Sequence, residues 1–195
     1  MTPKLLLKIV CLYFVLSCTS SSIVQGIPVN ASSRSPRDQQ PRRLRKSNPD
    51  LNRVFTHPTI TIDGQLLSRT GYFLEILQNG TIQATLNNSS IYTKLEMQSY
   101  NRTLKRFKGI HSEYFLACEI RNRRRGIFIG VRSLSTNSLF IEHMEENGYT
   151  TYRPLDFPTN NNNTGHLAIK VNGKFRRIER STPGMHASQF TFLNH

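Results

Sequence analysis

The densest chemistry in this 195-residue chain is a run of cations: Lys170, Lys174, Arg176, Arg177 and Arg180, with the polar Asn172 among them and one acid, Glu179. Side chains of these types do not break bonds; they hold anions. Lys supplies a mobile point charge and Arg a planar fork of donors, a combination suited to sulfate and carboxylate groups. The whole chain leans the same way. Lys and Arg number 26 against 12 acidic residues, for a net charge of +14, and the isoelectric point is near 10.3. Such a balance favours a polyanionic partner: nucleic acid, anionic lipid or sulfated glycan. Taken alone, a charge run is only a solvated face. Groups that could catalyse are sparse. Glu142, Glu145 and Glu146 with His143 form the one dense acid and imidazole set, and no partner acid sits at a repeat-equivalent turn. There is no Gly-x-Ser-x-Gly elbow, and His111, His143, His166 and His186 are too scattered for paired metal-ligand spacing. These residues point to a binding protein, not an enzyme, with no metal and no cofactor.

Lys4 precedes an apolar run from Leu5 to Leu16, broken only by Lys8 and followed by small polar residues, the order of a secretory signal. Its length, about a dozen residues where a spanning helix needs about 20, excludes a permanent anchor. Residues 1–26 are therefore expected to be a signal peptide, cut after Ser20 or Gly26. Sequons at Asn30, Asn79, Asn87, Asn88, Asn101 and Asn162 agree with export as a glycoprotein. Export disfavours nucleic acid. Cys11 and Cys18 lie in the signal, so Cys118 is the one thiol expected in the mature chain, and burial is the expected way of protecting it. Residues 27–65 are Ser-, Pro- and Arg-rich without apolar periodicity and are expected to be a disordered basic tail. Within it, Arg42-Arg-Leu-Arg-Lys46 reads equally as a processing site, a glycan-binding arm or solvated charge.

From Leu66 onward short apolar clusters alternate with Gly, Pro and Asn-Gly turns, and no window keeps a helical stripe. Gly71–Leu77, Thr81–Leu86, Tyr114–Ile120, Gly126–Val131, Leu167–Val171 and Phe190–Leu193 read as strands. A repeat accompanies them. Tyr72-Phe-Leu-Glu-Ile76, Tyr114-Phe-Leu-Ala-Cys118 and His166-Leu-Ala-Ile-Lys170 each lead through a Gly-bearing turn to a second strand, starting 42 and then 52 residues apart. The longer step holds an insert from Pro158 to Gly165. Three hairpin-bearing units over 66–195 predict an all-β barrel capped by a hairpin triplet, the β-trefoil plan. A sandwich of similar strand spacing is the competing plan.

Six blocks in register resemble the core of the fibroblast growth factors. They are Gly71-Tyr-Phe-Leu-Glu-Ile, Phe107-Lys-Gly-Ile, Tyr114-Phe-Leu-Ala, the run Phe140–Tyr152 with its Glu-Asn-Gly-Tyr-Thr-Thr-Tyr, His166–Lys174, and the closing Phe192-Leu193. The resemblance covers about 66–195 and implies a β-trefoil. It also implies a secreted mitogen that docks the immunoglobulin-like ectodomain of a fibroblast growth factor receptor tyrosine kinase. Heparan sulfate proteoglycan would act as co-receptor, with the ligand monomeric until the glycan helps two receptors together. Position by position, it places Glu142, Asn147, Tyr149 and Leu193 at the receptor, with Tyr149 exposed and Tyr152 structural. It places Lys170, Asn172, Lys174, Arg176, Arg177, Arg180 and the backbone N–H near Ala187 at the glycan.

Departures from the family mark a divergent member. Leu66 stands where a receptor-contacting Tyr is common, Val171 and His186 where the glycan site is often basic, and Ile178 where Gly is usual. Ser138 replaces a common Cys, and Asn194 the usual Pro. The Arg121-Asn-Arg-Arg-Arg125 turn satisfies a basic-protease consensus and could extend a sulfate surface; a solvated hairpin tip is the default. The alternative function is a trefoil cytokine or glycan-binding module that activates no kinase. A Trp-stacking lectin is disfavoured, because the chain has no Trp.

Overall fold

The computed structural model describes residues 55–122, 125–158 and 163–194. The signal, most of the basic tail, Asn30, Asn162 and the 42–46 cluster lie outside them. Among the described residues ten strands form one antiparallel sheet. In chain order they are β1 (Ile60–Ser68), β2 (Phe73–Ile76), β3 (Ile82–Thr85), β4 (Leu95–Ser99), β5 (Leu104–Gly109), β6 (Phe115–Asn122), β7 (Arg125–Val131), β8 (Phe140–Met144), β9 (Thr150–Pro154) and β10 (Phe190–Asn194). No helix among these residues is long and apolar enough to cross a membrane.

Six strands close a ring. β1 pairs with β4 from Ile60↔Ser99 to Gly64↔Leu95, and β4 with β5 from Leu95↔Gly109 to Ser99↔Lys105. β5 meets β8 at Leu104↔Ile141, β8 meets β9 from Phe140↔Pro154 to Met144↔Thr150, and β9 meets β10 at Thr150↔Phe190. β10 then returns to β1 from Gly64↔Asn194 to Ser68↔Phe190. Ring closure leaves the barrel no free edge without any disulfide. Two hairpins, β2–β3 and β6–β7, branch from it, and a third at Lys170–Lys174 is held by one bridge, Ile169↔Phe175. Three units of strand, hairpin and strand around a barrel are the β-trefoil that the repeat predicts.

The hairpin turns show how the sequence sets the register. Leu77 N–H donates to the Thr81 carbonyl (2.9 Å) and Gly80 N–H to the Leu77 carbonyl (2.8 Å). Lys170, Gly173 and Lys174 repeat that pattern (2.9 Å each), as do Glu145, Gly148 and Tyr149 (2.8 and 3.0 Å). In each turn an Asn two residues before the last accepts that residue's N–H, and the following Gly takes positive φ: 79° at Gly80, 80° at Gly148 and 73° at Gly173. An Asn side chain mimics a backbone acceptor there, and Gly carries no Cβ to clash in the left-handed region. Aligning these turns pairs Leu74 with Leu167. The third unit's repeat is thus Gly165-His166-Leu167, one residue earlier than the His166 start read from the sequence.

The core follows from inward positions on successive strands. Leu66, Leu74, Ile76, Leu95, Phe107, Leu116, Phe140, Leu167, Ile169 and Phe190 are fully buried, each contributing about 1.5–3 kcal/mol. Phe107 is central, its ring meeting those of Tyr152 at 5.0 Å and Phe140 at 6.1 Å edge to face. A satellite cluster of Cys118, Phe157 and Ile178 packs with Phe128. Cys118 is buried as expected, and burial pushes its thiol up to about 12.

Three expectations change. β1 begins at Ile60, ahead of the boundary at 66, because Ile60 to Gly64 pair with β4 although Ile60 itself is exposed. Leu167–Val171 is not a strand beyond its single bridge. Leu66 is fully buried, so the half-buried Leu67 beside it holds the outward place assigned to Leu66.

Arg106 is the unexpected core residue. It is 2 % exposed, and its donors reach neutral oxygens: Ser138 Oγ (2.9 Å), the Phe55 carbonyl (3.2 Å), the Ser135 carbonyl (3.4 Å) and the Tyr100 hydroxyl. Its guanidinium also stacks on the Tyr100 ring at 4.8 Å. Burial lowers its pKa, and Tyr100 partly offsets that. Ser138, a departure from the family's Cys, is thereby explained as an Arg106 acceptor.

Candidate functional site

Hairpin β8–β9 carries three of the four expected receptor residues. Asn147 is exposed at the tip, where its Oδ1 accepts the Tyr149 N–H (3.1 Å) and so builds the turn. Tyr149, expected to be exposed, is half-buried because the Arg69 guanidinium lies 4.9 Å from its ring centroid. Cation and aromatic face attract, and the contact fixes the ring at the surface. Glu142 lies at the base, in an ion pair with Lys105 Nζ (3.1 Å) and accepting the Tyr152 hydroxyl (3.2 Å). Burial, then the neighbouring Glu142 carboxylate, pushes the Tyr152 hydroxyl well above its ordinary pKa. Tyr152 is structural. Leu193 lies on β10, paired with Gln65 of β1; from the antiparallel Phe190↔Thr150 pair, β10 runs towards Leu193 in the direction in which β9 leads back to Tyr149 and Asn147. The hairpin thus carries Asn147 and Tyr149 at its tip and Glu142 at its base, with Leu193 on the neighbouring strand.

The cations lie in one segment. Lys170, Asn172 and Lys174 form the third hairpin turn, with Val171 82 % exposed at its tip. Arg176 N–H donates to the Ala168 carbonyl (2.9 Å), while Arg176 Nε donates to the Arg180 carbonyl (2.8 Å) at the surface. A single 3-10 turn, Ile178–Arg180, follows, with Arg177 and Arg180 exposed on either side of the buried Ile178. This explains a second departure: where the family has Gly, Ile178 plugs the cluster of Cys118 and Phe157 and pins the loop. Ala187 closes the segment, its carbonyl accepting the Ile169 N–H (2.7 Å). Loop, hairpin and Ala187 are therefore brought together, with Glu179 the acid among them.

Sequence reasoning missed what joins the two surfaces. Glu145 Oε1 accepts the Gly184 N–H (2.6 Å) from the basic loop, and Oε2 accepts Gln189 Nε2. Gln189 Oε1 accepts Arg69 Nη1 (2.7 Å), and Arg69 covers Tyr149. An unbroken chain of contacts runs from loop to tyrosine through residues with no sequence signature. Beside it His166 is 6 % exposed, and its Nδ1 has no partner among the described residues. Burial lowers its pKa to about 4, the Ser181 backbone opposing and Arg153 reinforcing the shift.

The acids proposed and rejected as catalysts are dispersed into these roles: Glu142 faces Lys105, while Glu145 faces Gly184 and Gln189. Among the described residues no group of three His, Cys, Asp or Glu is placed to hold a metal. Asn79, Asn87, Asn88 and Asn101 are exposed; three of them, Asn79, Asn87 and Asn101, accept a backbone N–H two residues on (2.9, 3.0 and 2.8 Å).

Residues 63–191 match the family model described as fibroblast growth factor. Mouse fibroblast growth factor 10 is 32 % identical over 110 residues, covering 56 % of this chain and 49 % of that protein. Fibroblast growth factor 2 of Xenopus laevis is 27 % identical over 120 residues, covering 62 % of this chain and 72 % of that one. The chain thus spans about half the length of fibroblast growth factor 10.

Proposed function

The chain belongs to the fibroblast growth factor family, and from that premise we propose that it is a secreted growth factor with two partners. Heparan sulfate binds the segment Lys170–Ala187, and an immunoglobulin-like receptor ectodomain docks on hairpin β8–β9, so that the receptor tyrosine kinase is activated. One observation carries the proposal. The cation-bearing loop is tied through Glu145 to the hairpin that presents Tyr149, so a sulfated chain and a receptor can meet side by side. A rigid aromatic ring anchors an interface at low entropic cost, and clustered Lys and Arg release counterions from a polyanion. Leu193 and Asn147 add an apolar and a polar contact beside it; Glu142, held by Lys105, shapes the hairpin base.

Purified protein with heparin, added to cells bearing individual family receptors, is expected to raise receptor tyrosine phosphorylation. Tyr149→Ala should weaken receptor binding about 30-fold, the effect of losing a 2 kcal/mol hot spot. Absence of phosphorylation at every receptor, with heparin retention intact, would favour the second reading, a glycan-binding trefoil without kinase activation. The internal use of the Glu142 carboxylate is the observation that favours that reading.

A further inference from the structure

Hairpin β6–β7 reaches farther than its two counterparts. β6 has 8 residues and β7 has 7, against 4 in each of β2 and β3 and one bridge in the third unit. The added length places Arg125, and across the hairpin Arg121, just beyond the Ile120↔Gly126 pair, the end whose β7 strand meets the 3-10 turn of the basic loop. There β7 packs against Ile178–Arg180. Gly126 lies so close that a Cβ on it would stand 2.9 Å from Cys118 Sγ and 3.1 Å from Ile178 Cγ2. With no side chain at 126, the hairpin end rests directly on Ile178, whose flanks are Arg177 and Glu179. Gly126 and Phe128 turn toward that cluster, so alternation sends Arg125 outward. Arg125 is exposed. Arg121 is 61 % exposed, and its contact with Glu119 at 3.5 Å is solvent-facing, an arrangement that holds an arginine only weakly.

We propose that Arg121 and Arg125 continue the anion-binding surface of the basic loop, so that one sulfated chain runs from the third hairpin across Arg177 and Arg180 onto hairpin β6–β7. The proposal rests on the glycan reading above and adds a length requirement. A short oligosaccharide fills the loop alone; a longer one also engages two further guanidinium forks, with Glu119 and Glu179 setting gaps between sulfates. The default of a bare solvated tip then no longer holds for Arg121 and Arg125.

The test uses the full chain with Arg121→Gln and Arg125→Gln together, titrated with heparin-derived tetrasaccharide and dodecasaccharide. Tetrasaccharide affinity should stay within about twofold, while dodecasaccharide affinity falls at least about fivefold and the slope of log affinity against log salt drops by about 1–2. A control carrying Arg102→Gln and Arg132→Gln, exposed and with the same loss of net charge, should leave dodecasaccharide affinity unchanged. Equal loss in the control, or no loss in the hairpin variant, overturns the proposal. Neutralising Lys170, Lys174, Arg177 and Arg180 keeps the two claims apart. If that variant loses binding and the hairpin variant does not, only the extension fails. If neither loses binding, both fail. If the hairpin variant alone loses it, the loop reading fails and a continuous surface is overturned with it.

Discussion

The first two units open their hairpins with Tyr72-Phe73-Leu74 and Tyr114-Phe115-Leu116, and the third with Gly165-His166-Leu167. Tyr72 lies under the turn glycine of the third hairpin and Tyr114 under that of the first; Gly173 and Gly80 have no room for a Cβ above these rings, which would sit 2.7 and 2.9 Å away. At the third position the ring is missing and Phe157 supplies it from outside the repeat, packed over Gly165 where a Cβ would fall 2.4 Å from its ring. The first two hairpins are laddered strands; the third has one bridge, and its following loop is held by side chains, Ile178 from below and Glu145 from the neighbouring hairpin. This barrel can surrender sheet in one unit when neighbours provide pegs. A loop pegged in this way can display its cations outward while its backbone stays fixed.

Removing the external ring should strain that arrangement most. Phe157→Ala is expected to cost about 3–5 kcal/mol, seen as a lower denaturation midpoint; a loss below about 1 kcal/mol would mean that the third unit is self-supporting.

Acid should act next. The folded His166 imidazole releases its proton at about 4, against 6.5 ordinarily, so the unfolded chain binds that proton first as pH falls. The stability His166 contributes is full above 6.5 and is lost progressively down to about 4, amounting at most to about 3 kcal/mol. His166→Phe, which installs the residue of the other two units, should flatten melting temperature across that window. A slope that persists in the variant would assign acid sensitivity elsewhere.

The smallest effect is expected at the loop's tether. Glu145→Ala deprives the Gly184 N–H and Gln189 of an acceptor, costing about 1–3 kcal/mol, and should speed hydrogen exchange at Gly184 while leaving the ladder amides of β2–β3 unchanged. Unaltered exchange at Gly184 would remove Glu145 from the account of how the third unit is held.

Sequence legibility divides along the same line. Strands of the first two hairpins are visible because Tyr, Phe, Leu and Ile alternate there around Asn-Gly or Gly turns. β4 and β5 are obscure because Glu96, Gln98, Lys105 and Arg106 give them a polar surface texture, although Lys105 and Arg106 are buried with partners that lie far off in sequence. The third unit misleads in the other direction: Leu167 to Val171 has strand composition, yet it lacks a laddered partner beyond Phe175. The cation run needs no structure to be seen. Its attachment does, because a carboxylate holding a backbone amide 39 residues away leaves no pattern in residue types.

The sealed position of Cys118, with its proton held far above neutral pH, gives the molecule an internal clock. A thiol reagent in solution can modify that sulfur only in the moments when the satellite cluster parts. The rate of labelling at Cys118 itself therefore counts openings of the seam where Phe157 and Ile178 join the third unit to its neighbour, and it does so without an introduced residue.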